Sequence, residues 1–139
     1  MNFKNAKKIK KDGTIVVLAH AVVVWLHGSA HAKLGVDTFA WLGNSFIYVV
    51  IIAAPIVAMV LLWTRWQRIG IWLLLGSMLG ALLFGGYNHF IATTPDHVAH
   101  LPAGEAQTLF IITAIGLVIV ELRGSWIAWR ALRVKNVIS

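Results

Sequence analysis

The chain has 139 residues, room for one domain, of which 59% are hydrophobic and only 12% charged, with a mean hydropathy of +0.79. That balance leaves too little polar surface to coat a water-soluble fold and fits a protein whose solvent is partly lipid. The net charge of +7 sits on residues that flank apolar stretches and does not interleave with stacking aromatics, which argues against nucleic acid. With no Cys, disulfides, thiolate ligands and a Cys nucleophile are excluded.

The first apolar stretch, about Thr14 to Leu34, follows Lys4, Lys7, Lys8, Lys10 and Lys11. A basic segment before an apolar one resembles a signal peptide. Here the run is too long, and His27 and His31 stand where a small-residue cleavage site belongs, so it reads as a retained first helix. His20, His27 and His31 are spaced by seven and four residues, which puts them on one stripe of that helix.

The second stretch, Asn44 to Trp63, carries Pro55, expected to kink it and free a carbonyl in the preceding turn. Trp41 at one edge and Trp63 and Trp66 at the other have the placing of an aromatic belt.

The third, Ile69 to Ile91, holds two rows of small residues, Gly76 with Gly80, and Ser77 with Ala81 and Gly85. Such rows let two helices approach closely, within this chain or against another copy. His89 ends the helix and continues the second row.

In the following loop, Thr94-Pro95-Asp96 reads as an N-cap, a first-turn Pro and a first-turn acid. A short helix over about 95–101 is expected, with His97 and His100 side by side and Pro102 as its stop.

The fourth stretch, Ala106 to Trp129, contains Glu121. At about 1.5 Å per residue, Glu121 and His20 both lie roughly 10 Å from the same membrane edge. An intramembrane carboxylate needs a partner, and His20 is the candidate, either as a hydrogen-bonded link between helices or as part of a proton or quinone step.

Four spans with short connections predict an all-α integral membrane protein, an antiparallel four-transmembrane-helix bundle forming a single domain over 1–139. The N-terminal lysines, Arg65, Arg68, Arg130, Arg133 and Lys135 fall on one side, and Lys33, Asp37, Asp96 and Glu105 on the other. The positive-inside rule makes the first side cytoplasmic, so both termini are inside, and the small size suggests a prokaryotic inner membrane.

Five of the six histidines therefore converge on the outer level. His27, His31 and His89 form a first ligand set for copper, zinc or iron, with His97, His100 and Asp96 joining from the loop and Asp37 and Glu105 as further acceptors. The two helical histidines one turn apart have no Glu between them, so the zinc-hydrolase signature is absent. Three functions compete: redox or metal handling, a b-type haem held between His27 or His31 and His89 with Gly85 and Gly86 making room, and a non-catalytic accessory subunit of a larger membrane complex or homo-oligomer. Hydrogen-bonded histidines with no metal are the plain alternative to the first two.

Overall fold

The computed structural model describes residues 3–36 and 41–133; Asp37, Lys135 and the side chains of Lys4 and Trp41 lie outside the described residues. The described chain is helical, with no strand. Helix α1 runs Phe3–Leu34. A continuous helical run follows, made of α2 (Trp41–Phe46), a π-helical segment (Ile47–Ala53) and α3 (Ala54–Leu62). Helix α4 runs Gln67–Phe90 and α5 runs Glu105–Arg133. Four stretches, Ala6–Leu34, Gly43–Leu62, Gln67–Phe90 and Glu105–Arg133, are long and apolar enough to cross a membrane.

Helix α1 begins well before Thr14, because nothing in its lysine-rich first turns breaks a helix and Lys is a good helix former. It ends at Gly35, whose φ of +63° takes the left-handed conformation that caps a helix cheaply. The expected disturbance at Pro55 takes the form of a π-helix. Pro55 has no N–H to give the carbonyl four residues back, and the turns ahead of it widen so that Ala54 N–H bonds to Val49, five residues back.

The loop after α4 does not form the expected short helix. Residues 95–100 make two successive turns, with His97 N–H bonding Thr94 O at 3.1 Å and His100 N–H bonding His97 O at 2.8 Å. The cause lies in the side chains meant to start the helix. The Thr94 hydroxyl donates to the Asn88 carbonyl at 2.7 Å, and Asp96 turns inward and is fully buried.

The helices pack α1 on α5, α5 on α4, α4 on α3, and α1 on α3. One core joins Val17, Ala58, Leu62, Ile71, Leu74, Met78 and Ala128; a smaller one, at the end carrying the 91–104 loop, joins Ala30, Leu101, Phe110 and Ala114. At the opposite end, Lys10, Arg65 and Arg133 lie over the rings of Trp63, Trp66 and Trp129 at 5.7, 5.6 and 4.3 Å, and Trp63 Nε1–H donates to Thr14 Oγ1.

The small-residue rows of α4 divide differently from the expectation. Gly80 approaches Val50 of the π segment, but Gly76 faces open space. Ser77 and Ala81 are buried, and Ala81 and Gly85 line a cavity. The tightest approaches occur elsewhere: Gly13 against Leu62, Gly70 against the backbone of α3, and Gly124 against Met78.

Candidate metal centre

Helix α1 turns His20, His27 and His31 toward its neighbours, with His20 and His27 buried and His31 partly so. Helix α4 delivers His89 to the same level. One ligand nitrogen from each of His27, His31 and His89 lies within 4.8 Å of the others, a group able to hold a metal ion. Ring centroids are 4.8 Å apart for His27–His31, 4.9 Å for His27–His89 and 5.5 Å for His31–His89. The fully buried Phe110 of α5 touches all three rings, at centroid distances of 4.5 to 4.9 Å.

An oxygen faces Nδ1 of each ring. Thr113 has one hydroxyl proton, which goes to the Leu109 carbonyl at 2.7 Å or that of Phe110 at 3.0 Å. Its oxygen therefore accepts, and His27 Nδ1 at 2.9 Å carries the hydrogen. His31 Nδ1 faces the Val36 carbonyl at 3.3 Å, which can only accept. His89 Nδ1 lies 3.0 Å from Asp96 Oδ2, at hydrogen-bond distance but with an angle short of a full bond. A carboxylate again can only accept.

Each Nδ1 thus has an oxygen in front of it, which leaves Nε2 as the atom that a neutral His27, His31 or His89 would offer to a metal. The Nε2 atoms of His27 and His89 face each other at 3.1 Å. Two lone pairs at that distance repel unless a cation lies between or beside them. A proton shared by the two nitrogens also meets this need, with His89 as an imidazolium beside Asp96 and donating to His27, and Thr113 undisturbed. A metal ion and a proton therefore compete for this position.

Asp96 lies outside the helices. Burial pushes its carboxyl up, but His89 and Thr94 beside it outweigh that, and the net shift is downward. It stays ionised, as a partner to an imidazole N–H should.

His97 and His100 do not join the group. Their rings are 4.9 Å from one another, but His97 Nδ1 accepts from Ala99 N–H and His100 Nδ1–H donates to Thr94 O, both turned away on the exposed loop. The failed helix explains this, since the turns point them outward. Asp96 reaches the centre as a partner of His89 and not as a member of the three-residue group. Glu105 is exposed at the start of α5.

His20 and Glu121 meet separately, Nε2 to Oε1 at 3.3 Å, both almost fully buried. They share a cavity of about 930 Å³ with the three-histidine group; its wall includes His20, His27, His31, His89 and Glu121, and apolar residues of α1, α4, α5 and the π segment.

Thr113, Phe110 and Val36 escaped the sequence reading. Thr113 left a faint signal, as a lone hydroxyl in an apolar run at a four-residue spacing from Leu117, Glu121 and Ser125. Phe110 left none. Comparison of the chain with protein-family models, curated proteins and solved structures returns no match.

Proposed function

We propose that this is a multi-pass membrane protein that binds one transition-metal ion through Nε2 of His27, His31 and His89. The observation that carries the reading is the convergence of one ligand nitrogen from each of three histidines within 4.8 Å, with Nε2 of His27 and His89 3.1 Å apart and an oxygen facing each Nδ1. Metal-bound histidines characteristically give their other N–H to a carboxylate, a carbonyl or a comparable acceptor. A tetrahedral ion with nitrogen ligands at about 2.0–2.1 Å would set neighbouring nitrogens roughly 3.3 Å apart, so only His31 must swing inward. Three imidazoles and no sulfur suit zinc, copper(II) or iron(II) better than copper(I), and three protein ligands leave a further position open.

Haem is the weaker reading. Ligands on opposite faces of a macrocycle stand about two metal–nitrogen bonds apart, roughly 4 Å. His27 and His89 are closer than that, and His31 and Phe110 press against both.

The bilayer setting belongs to the same proposal. The four apolar helices form an antiparallel bundle with the Lys- and Arg-rich end in the cytoplasm and the 91–104 loop outside, in a prokaryotic inner membrane. The metal centre then lies at the outer level and serves metal handling or redox chemistry.

The test is elemental analysis with an absorption spectrum on detergent-purified protein, beside a His27→Ala/His31→Ala variant. One zinc, copper or iron per chain, lost in the variant, is the expected result. A Soret band would replace this reading with the haem one, and a chain that takes up neither metal nor haem would defeat both.

A further inference from the structure

The three-histidine group is shut off from the loop end and open sideways. Over it sit Leu34, Val36, Val98, Leu101 and Leu109, packed with Ala30 and Phe110. The cavity below instead runs out between α1 and the π segment. These two elements scarcely touch, because α1 meets the second helical run lower down, where Leu62 fills the space at Gly13 and Trp63 bonds Thr14. At the mouth stand Trp25 and Tyr48, 72% and 67% exposed, on faces that meet lipid in a membrane. The π-helix lies in this wall, and such segments recur at functional sites.

Apart from Ser29 and Asn44, the cavity is apolar along its sides, and it is polar at two ends. His20 and Glu121 line one end, and the three histidines line the other. Seven residues of α1 separate His20 from His27, about 10 Å along the axis. That gap fits one six-membered ring with an oxygen on each opposite edge, about 5 Å apart, and a hydrogen bond of about 2.8 Å at either end. A volume of about 930 Å³ also holds the start of an apolar tail. A lipid acyl chain would use the sides and leave both polar ends unmatched, and an ion would use the ends and leave the sides.

We propose that this cleft binds a lipid-soluble quinone, which enters from the bilayer between α1 and the π segment. One ring oxygen meets the His20–Glu121 pair, the other faces the histidine centre, and the tail leaves past Trp25 and Tyr48. Imidazole donates to a quinone oxygen, and a carboxylate accepts from a quinol hydroxyl, so the pair recognises either form. The second contact, to the histidine centre, rests on the metal reading; the cleft and the His20–Glu121 contact do not.

Gly28 lines the cleft, and a Cβ added there meets nothing within 4 Å, so Gly28→Phe plugs the passage without a backbone clash. The experiment places the full chain in phosphatidylcholine nanodiscs, adds decylubiquinone, and counts bound quinone above the partition into empty discs. Metal content and helicity are read on the same samples. Expected are one saturable quinone per chain and a loss of affinity of about tenfold or more in Gly28→Phe. Glu121→Gln should weaken binding by about threefold or more, with metal content kept in both variants. Metal bound without saturable quinone overturns this proposal and leaves the metal centre standing. Saturable quinone without metal does the reverse. Quinone binding that neither variant weakens is partition into lipid and overturns it as well.

Discussion

His27 Nε2 and His89 Nε2 face one another at 3.1 Å, from helices 62 positions apart in the chain, and each ring is held from behind by an oxygen. Replacing either residue by Ala removes one of the two converging ligand nitrogens. We expect His27→Ala and His89→Ala each to lower metal affinity by at least about a hundredfold, above the range for a residue that only supports a ligand. His31→Ala should cost less, since His31 is partly exposed and must move to bind. Competition titration with a chromophoric chelator measures all three, and equal, small losses would show that the histidines are structural.

The oxygens behind the rings give a separate prediction. Asp96→Asn keeps the shape but supplies a neutral acceptor to His89, and Thr113→Val removes the acceptor from His27. Each should weaken metal binding by about 10–100-fold while one ion per chain still binds at saturation. A change in stoichiometry would instead make Asp96 a direct ligand.

How much of this centre was legible follows from period and depth. The seven-and-four spacing of His20, His27 and His31 fixes a stripe on a helix whatever it packs against, and His89 shares its level because both helices have a known length. The loop was not legible. Thr94-Pro95-Asp96 has the composition of a helix start, but Asp96 gains more by pairing with buried His89 than by capping backbone, and that choice exists only once the helices have met. The same holds for Phe110, one apolar residue among many until three imidazoles lie against it. Of Gly76 and Gly80 only Gly80 meets a neighbour, Val50, while Gly76 faces open space, since spacing cannot tell which side of α4 a neighbour takes.

His20 and Glu121 lie at 3.3 Å with almost no exposure, so removing one leaves the other buried without its hydrogen-bond partner. His20→Ala and Glu121→Gln should each destabilise the protein, and the double variant should lose less than the sum. The expected coupling is about 0.5–3 kcal/mol, the range for residues in direct contact. Denaturant unfolding of the four proteins in one detergent gives the cycle, and strict additivity would mean that the two groups do not interact.

Close packing of α4 gives a contrast between glycines that look alike in sequence. A Cβ at Gly70 would stand 2.9 Å from Leu62 N and 3.0 Å from Ala58 O, backbone atoms that cannot turn aside. Gly70→Ala should therefore separate α3 from α4 and cost about 1–3 kcal/mol, more than the ~1 kcal/mol that Ala gains over Gly within a helix. At Gly124 the obstacle is Met78, with Cγ at 2.9 Å and Sδ at 3.0 Å, a flexible side chain that can shift, so Gly124→Ala should cost less. Gly76 meets nothing, and Gly76→Ala should be neutral or gain up to about 1 kcal/mol. Thermal unfolding in detergent orders the three. If Gly76→Ala instead proves the most damaging, its open face is covered by another chain, and the protein works as an oligomer or within a larger complex.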